Sequence, residues 1–124
     1  MLINLSNHLS VNWSSHQLES AQIYGKIIDL PFPDVDPSGD ENYIQSLVNE
    51  NIDRIIANSQ FPILNSQLFV HIMGEMTFTF AMVNALQKMN IICVASTTER
   101  ISSEKDGVRI SEFKFINFRK YSTD

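Results

Sequence analysis

The run Gln67–Met82, QLFVHIMGEMTFTFAM, constrains the fold more than any other stretch of the chain. Leu68–Met73 is apolar enough to be a buried strand, and it stops at Gly74. A second apolar segment opens at once behind Glu75 and Thr77. A strand that turns into a helix at a glycine leaves free backbone N–H groups at the carboxyl end of a strand. Open α/β sheets bind their ligands at that edge.

The flanking sequence supplies the rest of such a sheet. Leu2, Ile3 and Leu5 form a first strand, followed by the loop SNHLSVN. Ser14 and Gln17 have capping-box spacing, and Trp13 with Leu18 has hydrophobic-staple spacing. These signals predict a first helix over Ser15–Tyr24, ended by Gly25. Lys26–Leu30 is a second strand. Three prolines in PFPDVDPSGDE then exclude a helix or a central strand. Ser38 and Glu41 form a second capping box. Ile44, Leu47, Val48, Ile52, Ile55 and Ile56 follow at helical spacing, predicting a helix to about Ser59 that Phe61-Pro62 closes.

The third helix spans Thr77–Met89, with Phe78, Met82, Ala85, Leu86 and Met89 on its inner face. Phe80, Ala81 and Val83 make much of the remainder apolar. Such a helix is buried or packs on another chain; a homodimer contact through 77–89 is favoured here. Ile91–Ala95 is a fourth strand. ERISSEK and VRISEFKFINF then flank Asp106-Gly107, a hairpin signal. Strands alternating with helices imply a parallel sheet covered on both faces. The expectation over residues 1–124 is one three-layer, Rossmann-like α/β domain. Its sheet is mostly parallel with a C-terminal β-hairpin, and the first and third strands are central neighbours.

A net charge of −5 argues against broad binding to duplex nucleic acid, which needs clustered Lys and Arg. No charged segment followed by a long apolar one marks a signal peptide, and no apolar run approaches a membrane span. Cys93 lies alone in the apolar run IICVA, where it packs and has no internal disulfide partner. A cytoplasmic protein is expected.

Three loops would converge at the carboxyl edge. The first strand delivers Ser6, Asn7 and His8, the third Gly74, Glu75 and Thr77. The fourth delivers Ser96, Thr97, Thr98, Glu99 and Arg100. Hydroxyls, amides, one imidazole, one guanidinium and two carboxylates suit a polar, partly anionic ligand. Each has a plainer role as well. Asn and Ser commonly satisfy loop backbone. Glu75 is favourable against a helix macrodipole, and the same charge opposes a bound phosphate. GEMT lacks the spaced glycines and lysine of a phosphate loop. Asp34, Asp36, Ser38 and Gly39 match the start of a calcium loop, but position twelve is Gln45, so a turn is expected and no metal. His71 reads as a hydrogen-bonded core histidine, and His16 falls in the first turn of a helix. No zinc spacing is present, and no GxSxG or adjacent Ser–His pair suggests a hydrolase triad. Phe113, Phe115 and Phe118 read as packing residues.

The NLSNH opening, the HIMGEMTFT turn and the STTER segment before a terminal ribbon resemble small stand-alone CRISPR-associated proteins. Those have a Rossmann-like, CARF-type fold, and some are called ring nucleases. The resemblance implies cyclic oligoadenylate binding across a homodimer and, in some members, cleavage of the ring without a metal or cofactor. It implies a ligand site built from Ser6, Asn7, His8, Gly74, Glu75 and Arg100, with Thr77, Ser96 and Thr97 beside it. His8 or Glu75 would take a proton from a ribose 2′-hydroxyl, while Arg100 and the Gly74–Thr77 amides stabilise developing charge. The alternatives are an enzyme on a small metabolite, with Glu75 and His8 as its acid–base pair, and a protein-interaction module presenting the apolar third helix.

Overall fold

The computed structural model describes residues 1–59 and 67–122. Among these, the strands are β1 (Leu2–Ser6), β2 (Ile27–Pro31), β3 (Phe69–Met73), β4 (Ile92–Lys105) and β5 (Val108–Lys120). The helices are α1 (Ser15–Ala21), α2 (Glu41–Ser59) and α3 (Met76–Lys88). The strands form one sheet in the order β2-β1-β3-β4-β5. β1 to β4 run parallel, and β5 returns antiparallel to β4. From β1 the chain goes to β2 on one side and to β3 on the other. The crevice between β1 and β3 is therefore the topological switch point.

Side-chain alternation along the central strands builds two cores. Ile3, Leu5, Val70 and Ile72 pack with Val48 and Ile55 of α2 and with Phe78, Met82, Val83 and Leu86 of α3. Leu2 and Val94 face the other way, onto Trp13, Ala21, Tyr24 and Phe118. Both faces of the sheet are covered, which is why the central strands read as nearly continuous apolar runs.

Several local signals resolve differently from the sequence reading. Ser14 caps α1 by accepting from the Gln17 N–H at 3.1 Å. Gln17 does not complete the box; its side chain turns inward to Ser96. Trp13 enters the core while Leu18 is exposed, so no staple dominates that end. For α2 the cap is Asp40, whose Oδ1 accepts from the Tyr43 N–H at 2.9 Å. Ser38 is taken instead by Asp36, which accepts from its N–H and hydroxyl. Asp suits a cap as well as Ser does, and Asp36-Pro37 favours an Asx turn. These hydrogen bonds hold the Asp36 carboxyl below its usual range. Among the described residues, no group of acidic, His or Cys side chains has the arrangement of a metal site. The Phe61-Pro62 closure of α2 lies outside the described residues.

Strand β4 extends far beyond Ala95, because β5 supplies a partner from Val94 to Lys105. Only Ile92, Cys93 and Val94 pair with β3, so the rest of β4 and β5 is a free two-stranded ribbon. Its turn has φ of 54° at Asp106 and 78° at Gly107, both positive as the tightest hairpin requires. Ser96, Thr97 and Arg100 are thus strand residues, not loop residues. On α3, Val83 is buried in the core of its own chain, the first of the two alternatives for its apolar surface. The exposed apolar residues are Met76, 83% accessible, and Phe80, 72% accessible.

Gly74 is required by a close approach, not by its backbone angles. A Cβ there would overlap the tip of the Phe32 ring, at Cζ and both Cε atoms, and that ring stands edge-on to Phe78 at 5.3 Å between centroids. Gly74→Ala should lower stability by about 1–3 kcal/mol, as overpacking does. In a Phe32→Leu background the same change should cost much less. Denaturant unfolding of the four proteins measures this; additive costs would show that Phe32 is not what excludes a side chain.

Candidate functional site: a polar row beneath the switch-point pocket

The third residue of each of the first three strands is polar: Asn4 in LINLS, Asp29 in IIDLP and His71 in FVHIM. The parallel register puts Asn4 directly beside Asp29 on one side and His71 on the other. All three face α1, opposite the Ile3–Leu5 core. Asn4 and His71 are 1% and 2% exposed, so each polar atom needs a partner. Asn4 Nδ2 donates to Asp29 Oδ1 at 2.7 Å and to the His8 carbonyl at 2.9 Å. Asn4 Oδ1 lies 2.8 Å from the Ser6 hydroxyl, which donates to it, and 2.8 Å from His71 Nδ1. On the far side, His71 Nε2 lies 2.7 Å from Ser96 Oγ, which accepts from Gln17 Nε2 at 3.1 Å.

These contacts fix the proton positions. A carboxylate and a carbonyl on one side of the Asn4 amide require its NH2 there, so its oxygen faces His71. His71 Nδ1 must then carry the hydrogen, and Nε2 presents its lone pair to the Ser96 hydroxyl. Burial, reinforced by the nearby His8, lowers the His71 pKa to about 4, so the ring is neutral near pH 7. Burial works to raise the Asp29 pKa, but hydrogen bonds from Asn4 and from the Ser10 hydroxyl and N–H keep it below its usual range. The His8 carbonyl also accepts from Trp13 Nε1 at 3.0 Å, which pins the loop after β1. The Trp13 ring meets His71 edge-on at 5.4 Å.

Above the row opens a cavity of about 790 Å³ at the carboxyl edge. His71 and Ser96 line it, with Trp13 and Gln17 from the α1 side and Phe113 and Phe115 from the ribbon. Of the residues expected at a site, Ser6, Asn7, His8, Gly74 and Ser96 line this cavity. Glu75, Thr77, Thr97 and Arg100 do not. Glu75 is the cap of α3: its carboxylate accepts from the Phe78 N–H and the Thr77 hydroxyl, which hold its pKa below the usual range. It borders a smaller hollow with Asn7, Phe32 and Asp34, apart from the cavity that His8 lines. Thr97 Oγ1 bonds the Asn117 backbone across the β-bulge at Thr97/Thr98. Arg100 bonds Ser111 on the ribbon. Cys93 is buried, and burial pushes its thiol up to about 12.

In the sequence His71 reads as a core histidine and Gln17 and Trp13 as helix-end residues, while Asn4 and Asp29 carry no signal of their own. No Ser–His pair close in the sequence suggested a hydrolase triad. The fold brings together Ser96 and His71, 25 positions apart. One signal was present: a polar residue at the third place in three successive, otherwise mostly apolar strands. Parallel pairing in register makes that pattern a row.

The His71 shift carries a stability consequence. An unfolded imidazole takes up its proton near pH 6.5, whereas folded His71 resists until about pH 4. Between those values the unfolded chain binds more protons, so stability falls as pH drops, by up to ~3 kcal/mol. Urea unfolding at pH 7 and pH 5 should show this loss. It should be much smaller in His71→Gln, which is less stable at pH 7 but has no imidazole to protonate. Equal losses in both proteins would contradict the buried, neutral state.

Among proteins of known sequence, the chain is similar to "Uncharacterized protein MJ1673" of Methanocaldococcus jannaschii, 41% identical over 58 residues. That match covers 44% of this chain and 45% of the relative, so the chain aligns with less than half of the curated protein's length. No solved structure matches. A family model matches residues 1–119, nearly the whole chain, and on that match the chain belongs to the Uncharacterized protein MJ1673 family.

Proposed function

We propose that the chain binds a nucleotide-like anion in the cavity at the β1/β3 crevice, with a cyclic oligoadenylate as the ligand class. The observation that carries this is the cavity itself: about 790 Å³ at the switch point of an open α/β sheet. Its walls are Trp13, His16, Phe113 and Phe115, which offer ring faces and edges to a base. Ser6, Asn7 and His8 border it with hydroxyl, amide and imidazole groups, and Lys114 adds a cation; Glu112 is the opposing charge. If the ligand is cleaved, His8 rather than Glu75 is the candidate base, because only His8 lines this cavity.

A ring of several nucleotides exceeds one such cavity, so the proposal includes a homodimer in the cytoplasm, each copy holding part of the ligand. The exposed Met76 and Phe80 on α3 support a second copy as the partner of that helix. They border an apolar hollow with Met73, Val83 and Tyr121. No helix among the described residues is long and apolar enough to cross a membrane.

A thermal-shift titration with cyclic and linear oligoadenylates tests the ligand. The cyclic form should raise the melting temperature of the wild-type chain, and His8→Ala should weaken that shift. A chain unmoved by any of these ligands at millimolar concentration would end the nucleotide reading. Phe80→Asp tests the dimer: the mass in solution should halve while the folded helix content is kept. A wild-type chain that is already monomeric at high concentration would remove the dimer.

A further inference from the structure

The polar row ends on a hydroxyl at the cavity wall. We propose that Ser96 is a nucleophilic hydroxyl, activated by His71, that attacks a phosphoryl ester held in the cavity. Ser96 Oγ donates to His71 Nε2 across 2.7 Å, and His71 Nδ1–H donates to Asn4 Oδ1 across 2.8 Å. Asn4 is itself held by the Asp29 carboxylate. A nucleophile bonded to a base, with the base oriented by a third group, is the arrangement that activates serine hydroxyls on unrelated folds. Gln17 occupies one lone pair of Ser96 Oγ and orients it, leaving the second for an electrophile. Ser96 and His71 both line the cavity and therefore reach a bound molecule; Asn4 and Asp29 act through His71 as positioning residues.

In the first step Ser96 Oγ bonds to phosphorus, and its proton passes to His71 Nε2. The bond from phosphorus to the leaving alcohol oxygen breaks on the far side, in line with the attack, and that oxygen takes a proton from solvent while His71 keeps the one from Ser96. Water then attacks the phosphoseryl ester from that far side and gives its proton to solvent. His71 returns its proton to Ser96 Oγ as that oxygen leaves. The net change is hydrolysis of one ester bond. A phosphoryl centre suits the cavity because His8, His16 and Lys114 border it along with Glu112. When His71 takes the proton, its Nδ1–H already faces Asn4 Oδ1, so the cation forms against an oriented dipole. This inference uses the same cavity as the nucleotide reading, but it does not depend on which ligand binds there.

A small fluorophosphonate tests it on the whole folded chain. Attack by Ser96 forms the oxygen–phosphorus bond and expels fluoride, while the proton goes to His71. Peptide mapping by mass spectrometry should find the adduct on Ser96 and not on Ser14 or Ser15, exposed serines that line the same cavity. Those two are controls within the wild-type protein, so the result does not depend on a variant folding. His71→Gln should slow labelling on the order of a hundredfold or more, the usual share of a general base. Ser96→Ala should abolish the adduct. No adduct, preference for Ser14 or Ser15, or equal Ser96 labelling in a folded His71→Gln chain would overturn the proposal. A chain that binds oligoadenylates but leaves Ser96 unlabelled keeps only the nucleotide reading. One that labels but ignores oligoadenylates keeps only the nucleophile.

Discussion

The Asn4 side chain makes all four hydrogen bonds an amide can make, in the middle of a strand whose five residues are all buried. Each bond ties down a different part of the molecule. Asp29 belongs to the edge strand β2 and His71 to the central strand β3. Ser6 and the His8 carbonyl lie where β1 gives way to the site loop. Losing the amide would leave several buried groups unpaired at once, each at a cost of about 1–3 kcal/mol. A replacement that only fills the volume cannot recover this. The row therefore sets strand register as well as site chemistry, because a slip of one residue would carry Asn4 and His71 into the α2–α3 core.

The site depends on two further features. One is the pairing of α1 with the sheet: Trp13 packs beside His71 while its indole N–H holds the His8 carbonyl, so the helix start and the loop after β1 are placed together. The other is the β4–β5 ribbon, which leaves β3 after Val94 and runs on past the carboxyl edge. Ser96 lies just beyond that departure, its N–H 3.2 Å from the Met73 sulfur at the end of β3. The ribbon supplies the wall of Phe113 and Phe115 that a shorter strand could not. The cavity is thus bounded by a central strand pair, a short helix and a projecting ribbon.

Much of the fold was legible because its signals are local. The Gly74 turn, the helical period of α2, the Ser14 cap and the Asp106-Gly107 hairpin each act over a few residues. That β1 and β3 are central neighbours followed from one asymmetry, the tight glycine junction after β3. What stayed hidden depends on pairing across the sheet. Asn4, Asp29 and His71 look like isolated polar residues until register aligns them. Gln17 fits a capping box until Ser96 is seen beside it. The length of β4 could not be read from STTERISSEK, which is polar because its residues from Thr98 on are exposed to solvent. Glu75 and Arg100 were drawn to one rim by their charges, yet Glu75 serves the helix end and Arg100 the ribbon.

This row holds His71 as one neutral tautomer, with its proton on Nδ1 and its Nε2 lone pair toward Ser96. Nitrogen-15 NMR of the imidazole side chains reads this directly, since protonated and unprotonated ring nitrogens differ widely in shift. At pH 7, His71 Nδ1 should be protonated and Nε2 not, and down to pH 5 the signals should move by no more than about a tenth of the full titration shift. A proton on Nε2, or a His71 that titrates near its ordinary value of 6.5, would contradict this assignment.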